Sequence, residues 1–269
     1  MATYVIGDVH GHYTALMRLL DKIHFSEGSD ELWFLGDLIN KGPDSLAVVR
    51  FVSQLDPARH KVVMGNHDFS LLVQAAYPSL QMKASTAEFL HAADGADLLA
   101  KMRQWPLMFV DFARKIIVSH AGLYPNWTVE QALSLHGEIL EHLRGAAGDE
   151  FLWQVYQDEP LMWSDNLNKL EQYRFMVNTL TRMRFFRKKN GAHDWTAKMP
   201  PDEAPKDLIP WYELKRRDGY RCIFGHWAAL GLKIRESWAC LDDGAAWGGR
   251  IAAFDVDKWA VSATQTVRL

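Results

Sequence analysis

Cysteine is scarce in this chain: among 269 residues only Cys222 and Cys240 carry thiols. Two thiols cannot staple a chain of this length, so a disulfide framework is excluded and a reducing compartment is expected. Each lies in an apolar stretch that reads as a strand, Tyr220 to Phe224 and Trp238 to Leu241. A thiolate metal site needs more thiols or tighter spacing, so both cysteines are assigned to the core. An excess of one charge is also missing. The 30 Lys and Arg face 33 Asp and Glu, a formal net charge of −3. That balance excludes a charge-driven nucleic-acid binder, though a local basic patch can still hold a polyanion. No uninterrupted apolar stretch approaches the roughly 18–20 residues of a membrane span. The opening residues have neither the basic nor the apolar region of a secretory leader. A cytoplasmic protein with no membrane partner is expected. There is no internal repeat and no low-complexity tract. What is present, 48% hydrophobic residues, is ample for a large core.

The first 120 residues follow a repeated grammar. Tyr4-Val5-Ile6 is a short apolar run closed by Gly7-Asp8, after which Leu16, Leu19, Leu20 and Ile23 form an amphipathic helical stripe. Leu32 to Leu35 is the next run, closed by Gly36-Asp37, and a helix through Leu46, Val49 and Val52 follows, with Asp44 or Ser45 as its N-cap. Val62-Val63-Met64 ends at Gly65-Asn66-His67-Asp68, ahead of the stripe Phe69, Leu72, Val73 and Ala76. Lys115 to Val118 ends at Ser119-His120. Apolar runs alternating with helices predict βαβ units and a largely parallel sheet covered on both faces. From about residue 123 to 217, Trp, Met and Leu are spread among polar residues at helical spacing, which predicts a mainly helical insertion. Met199 to Pro210, with four of the ten prolines, reads as a loop within it. Strand patterns return at Arg221–Gly225, Trp238–Leu241, Arg250–Asp255 and Trp259–Ala263, with Asp242-Asp243-Gly244 as a turn.

Five of these runs end alike: an apolar stretch, a small residue, then a side chain able to bind metal. Asp8 and His10 follow the first, Asp37 the second, Asn66 and His67 the third, His120 the fourth and His226 the fifth. Residues two apart in an extended segment point the same way, so Asp8 and His10 can address one centre. Taken singly, an Asp after Gly is most often a cap or turn former, and a lone His in an apolar context is most often a core residue. Five in succession at corresponding strand ends make coincidence the poorer explanation, because functional groups of such sheets gather at the strands' carboxyl ends. Oxygen and imidazole donors without thiolate suit Mn, Fe, Co, Ni or Zn. The set is too large for one ion. If Asp37 bridges, it can hold two ions roughly 3.5–4 Å apart.

The five motifs, Gly7-Asp8-Val9-His10-Gly11, Gly36-Asp37 to Gly42, Gly65-Asn66-His67-Asp68, His120-Ala121-Gly122 and Gly225-His226, resemble in order those of calcineurin-like metallophosphoesterases of the phosphoprotein-phosphatase branch. Two further stretches, Arg174 to Phe185 and Leu241 to Gly249, are similar to the bacterial symmetrical bis(5′-nucleosyl)-tetraphosphatases. The resemblance runs from Thr3 to about Phe254. It implies an α/β sandwich of two central β-sheets flanked by helices, a single domain over 1–269 with the insertion at the active-site edge. It also implies cleavage of diadenosine tetraphosphate to two ADP by hydroxide activated between two divalent transition-metal ions, manganese foremost. Asp8, His10 and Asp37 match the ligands of the first ion, and Asp37, Asn66, His120 and His226 those of the second. His67 matches the general acid, and Lys41 stands where the family has a phosphate-binding arginine. The subfamily match points Arg182 and Arg184 at the tetraphosphate, leaving Arg187 to Lys189 as a solvated helix end. Trp247 is a candidate to stack on adenine, against packing as the commoner role of a Trp.

Two positions depart from the phosphatase pattern. Protein phosphatases of the branch carry Asp-Arg-Gly where this chain reads Asn40-Lys41-Gly42. An Asp there would hold the proton on His67, whereas Asn40 can orient the ring without raising its pKa. A nucleoside diphosphate, with a second pKa near ~6, leaves without the help an alkoxide needs. Lys41 keeps the charge of arginine and loses its bidentate fork. Alternatives are a phosphoprotein phosphatase, which the Asn-Lys pair disfavours, and a non-catalytic nucleotide-binding protein, which the complete ligand set disfavours. Related dinucleoside polyphosphates and nucleoside-tetraphosphate caps on RNA are further possible substrates, and no obligate protein partner is indicated.

Overall fold

The structure, a computed structural model, describes residues 1–78 and 82–267. The first third alternates strand and helix as β1 (Thr3–Ile6), α1 (Tyr13–Lys22), β2 (Glu31–Phe34), α2 (Ser45–Gln54), β3 (Lys61–Val62) and α3 (Asn66–Ala76). Then come α4 (Ala84–His91), α5 (Gly95–Met102), β4 (Met108–Asp111), β5 (Ile116–Ser119), α6 (Val129–Arg144), α7 (Gly148–Val155) and α8 (Lys169–Arg182). The remainder is β-rich: β6 (Phe185–Arg187), β7 (His193–Asp194), β8 (Leu208–Pro210), β9 (Arg221–Phe224), β10 (Lys233–Ile234), β11 (Trp238–Cys240), β12 (Asp242–Asp243), β13 (Arg250–Asp255) and β14 (Ala260–Thr266).

The strands form two large sheets. One has the order β12-β13-β1-β2-β3, with β14 added on β13, and the other the order β10-β11-β9-β5-β4. The parallel sheet expected from the βαβ grammar is therefore present only in part. β1, β2 and β3 run parallel, as do β5, β9 and β11, but antiparallel strands flank both sets. The two sheets pack face to face: Val5 and Trp33 of the first share one buried cluster with Ile116, Val118 and Ile223 of the second. The alternate residues Ile6, Phe34, Ile117 and Phe224 point to the opposite faces, into the core shared with the helices. Burial on both faces is why these strands are continuous apolar runs. Cys222 and Cys240 are free thiols and buried, as read. Burial pushes the Cys222 thiol up to about 12.

The segment after α8 departs from the helical expectation. A three-stranded sheet, β7-β6-β8, follows Arg182. Arg187 belongs to β6 and pairs with Asp194 at 2.9 Å, so the basic run to Lys189 is a strand end and turn rather than a helix end. The proline-rich stretch holds a single helical turn and β8 rather than loop alone. Asp242 and Asp243 are a short strand rather than a turn. Tyr124 and Trp127 pack edge to face on Phe175 of α8, and Trp163 lies edge to face on Trp127 and tilted on Phe175. No helix among the described residues is long and apolar enough to cross a membrane.

Candidate metal centre

The parallel strands of both sheets end at one place. Asp8 and His10 follow β1, Asp37 follows β2, Asn66 and His67 open α3 after β3, His120 follows β5, and His226 follows β9. The two sheet edges are cross-linked there. The His120 Nδ1–H donates to the carbonyl of Leu35 at 2.7 Å, and the backbone N–H of His226 donates to both carboxylate oxygens of Asp8 at 3.2 and 3.3 Å. His10, Asp37 and His226 hold positive φ angles of 49°, 48° and 66°, and Asn40 and Lys41 hold 68° and 74°. Such conformations cost of order ~1–3 kcal/mol each in non-glycine residues and gather where geometry matters more than comfort. Gly65 and Gly225 leave room for the carboxylates: a β-carbon on Gly65 would overlap Asp37 Oδ1, and one on Gly225 would overlap Asp8 Oδ1.

Asp37 lies at the middle. Its Oδ1 accepts the backbone N–H of His67 at 2.8 Å. Its Oδ2 faces three imidazole nitrogens, Nε2 of His120 at 3.5 Å, of His10 at 3.7 Å and of His67 at 4.0 Å. His10 and His120 each donate Nδ1–H to a backbone carbonyl, of Ile39 at 3.2 Å and of Leu35, which turns both Nε2 atoms toward the cluster. Donor atoms of Asp8, Asp37 and His120 lie within 4.8 Å of one another, as do those of His10, Asp37 and His67, so two clusters share Asp37. Asn66 Oδ1 is 3.2 Å from His120 Nε2. The buried Nε2 of His226 has no hydrogen-bond partner among the described residues, and its ring lies 5.0 Å from that of His120. An orphaned imidazole nitrogen beside a carboxylate shared by two clusters, with no thiolate, fits a pair of divalent ions.

Residues 1–228 match the calcineurin-like phosphoesterase family. The chain belongs to the calcineurin-like phosphoesterases. Two bacterial proteins named symmetrical bis(5′-nucleosyl)-tetraphosphatase are similar to it. That of Chromohalobacter salexigens is 41% identical over 263 residues, 95% of each chain. That of Proteus mirabilis is 42% identical over 253 residues, covering 93% of this chain and 92% of its own. A solved structure described as a candidate diadenosine tetraphosphatase superposes with a TM-score of 0.67 at 25% identity, over 98% of this chain and 92% of the other.

In this phosphoesterase the electrostatics reflect crowding of like groups. Burial pushes the Asp37 carboxyl up, but the imidazoles of His120, His67 and His10 outweigh it and hold it well below the usual carboxylate range. Burial lowers His120, yet Asp37 and Asp8 bring it to about 10. Burial takes His10 down to about 4 against the pull of Asp37, and burial with Arg184 holds His226 well below the ordinary value. Asp8, buried beside Asp242, is held well above it. Cations entering the cluster would displace the proton of His120 and bring the Asp8 carboxyl back down.

A cavity of about 490 Å³ opens over the centre. Of the residues singled out in the sequence, all but Asn40 and His120 line it; His120 is fully buried beneath. Lys41 lies with its ammonium 5.1 Å from the ring of Trp247. Trp247 is 73% exposed, so packing is not its role. Arg184 donates to the carbonyl of His226 at 3.0 Å, and burial lowers it to about 10. Arg182 pairs with Asp158 at 2.6 Å and Asn178 at 2.9 Å.

Asn40 Nδ2 donates to His67 Nδ1 at 2.8 Å. A neutral ring that accepts at Nδ1 carries its proton on Nε2, the nitrogen facing Asp37 and the cavity. The amide is itself oriented, because the Ser85 hydroxyl donates to Asn40 Oδ1, and the Ser45 hydroxyl accepts the Asn40 backbone N–H at 3.0 Å. Sequence reasoning missed Ser85. It also missed Lys198, which lines this cavity, Lys83, which lines a neighbouring one, and Asp68, whose carboxylate accepts the backbone N–H groups of Gly65 and Leu38 at 2.9 and 3.0 Å. Asp242 was the findable one: like the five motifs, it directly follows an apolar strand.

Proposed function

We propose that the chain hydrolyses diadenosine tetraphosphate at its middle bond, releasing two ADP. The observation that carries this reading is Asp37 Oδ2, flanked by three imidazole nitrogens at 3.5–4.0 Å beneath a cation-lined cavity. Asp8, His10 and Asp37 would hold one divalent ion, and Asp37, Asn66, His120 and His226 the other; manganese is the first choice, with Co, Fe, Ni or Zn as alternatives. The chemistry such a pair would supply, if bound there, is acidification of a water molecule and compensation of the charge that builds on the phosphoryl oxygens.

The protein's own groups do the rest. Lys41, Arg182 and Arg184 pair with the polyphosphate, and Arg184, half-buried and anchored on the His226 carbonyl, holds its charge beside the metal centre. Trp247 offers an open face to one adenine. His67, its Nδ1 occupied by Asn40, presents Nε2–H to the departing diphosphate. An amide partner suffices because that leaving group is stable as an anion. We read residues 1–269 as one catalytic domain in the cytoplasm, with 123–217 as an insertion forming a wall of the site. Related dinucleoside polyphosphates and nucleoside-tetraphosphate caps on RNA share the recognised chemistry.

The test is a chromatogram. Incubation of the manganese-loaded protein with diadenosine tetraphosphate should yield ADP alone. ATP plus AMP would mean attack at an outer bond. Phosphate released from phosphoserine peptides, with the dinucleotide left intact, would replace this reading by a protein phosphatase.

A further inference from the structure

We infer that a second groove, beside Tyr156 on the far side of Arg182 from Trp247, receives the other nucleoside of the substrate; this rests on the hydrolase reading above. A chain of four phosphates cut at its central P–O–P bridge extends equally in both directions from the bridging oxygen. A site for that reaction must therefore open two ways, with a place for a base at each end. The cavity containing Trp247 supplies one direction. A separate cavity, also about 490 Å³, supplies the other, and both volumes suit a nucleotide-sized ligand.

The two cavities meet along Asn66, Arg182 and Lys198, which line both. That boundary contains a candidate metal ligand and two cations, as expected if a polyanion passes across it. Lys83 adds a third cation on the second side. Asp158, the acidic residue in this lining, is paired with Arg182, so the two offset each other and Lys83 and Lys198 supply the net positive charge.

The second groove ends, like the first, at an exposed aromatic ring. Tyr156 is 43% exposed, although Phe69, Ser70, Val155 and Val177, which line the same groove, are buried. Its ring lies over that of buried Phe69, with centroids 6.4 Å apart and planes 23° from parallel, and its hydroxyl donates to Ser70 Oγ at 3.2 Å. The ring is thus held on one face and at its tip while remaining open to solvent, a preformed platform for a flat base. Trp247 and Tyr156 are the two exposed aromatics, among the described residues, that line cavities bordering the metal centre.

The experiment compares diadenosine tetraphosphate with adenosine 5′-tetraphosphate, which has one nucleoside and can place it against Trp247. For Tyr156→Ala, KM for the dinucleotide should rise about tenfold, the loss of one base-stacking contact, and KM for the mononucleotide by about twofold or less. Tyr156→Trp should restore the dinucleotide KM, which separates stacking from a general defect of the fold. An equal rise for both substrates, or no rise for either, overturns the second groove and leaves the hydrolase reading intact. Failure of the unaltered protein to cut the dinucleotide overturns both.

Discussion

Asp37 belongs to both proposed ligand sets: its Oδ2 faces the imidazoles of His10 and His120, while its Oδ1 accepts the backbone N–H of His67. Asp37→Ala should therefore empty both positions together: metal analysis should find neither ion retained, and activity should fall by more than about a hundredfold, beyond the loss typical of residues that merely support ligands. Retained activity would dismiss the paired-ion scheme. His67 invites a different test. Because its proton is placed by an amide, His67→Ala should slow hydrolysis of alkyl phosphate esters by about 10²-fold or more, and that of the tetraphosphate by less. Ser85→Ala, which frees the Asn40 amide to turn, should shift rates in the same order but more weakly; equal slowing of both substrates by His67→Ala would contradict the leaving-group argument. At this scale the site was legible wherever a ligand directly follows its own strand. Ser85, 45 positions from Asn40, and Lys83 were not, because nothing local marks a side chain that acts across the fold.

Among the elements, strands buried on both faces were the easiest to read, since burial leaves no polar residue to interrupt Tyr4–Ile6 or Ile116–Val118. Those that went unseen are short or lie at a sheet edge. β4 is an edge strand ending in Asp111, and β6, β7 and β8 span two or three residues each, bordered by charged turns. β3 was placed one residue late, at Val62 to Met64, because its apolar run continues past the last paired residue. The glycines at strand ends give a test at this level. Gly225→Ala places a methyl group where Asp8 Oδ1 lies. The carboxylate must move, so metal affinity should drop about tenfold or more while circular dichroism stays native. Unaltered affinity by calorimetric titration would show that Asp8 needs no fixed position.

Across the whole molecule, chain order hid the two-sheet arrangement. A reader of the βαβ grammar keeps adding strands to one sheet, whereas the fourth run, β5, crosses to the other and pairs with β9, about a hundred residues later. Only the likeness to metallophosphoesterases implied two sheets; periodicity alone did not. Stability should also carry a signature set outside the site. His136 of α6 is buried, accepts the backbone N–H of Leu107 at 3.1 Å, and is lowered to about 4 by burial, with Arg144 adding to the effect. A depressed imidazole favours the folded state above the unfolded pKa of about 6.5. That contribution fades as pH falls toward 4, where roughly 3 kcal/mol is lost. The urea midpoint should accordingly fall between pH 6.5 and 4.5, and His136→Gln, which keeps an acceptor for Leu107, should flatten that decline. An unchanged slope would assign the acid sensitivity to other groups.

The candidate ligands are divided between the two halves of the sandwich: Asp8, His10, Asp37 and Asn66 come from one sheet, His120 and His226 from the other. Any ion gripped by both parties is a rivet through the seam between them. Starvation for metal would then do more than idle the enzyme. It would loosen the joint on which the architecture closes, tying the lifetime of the folded protein to the supply of its cations.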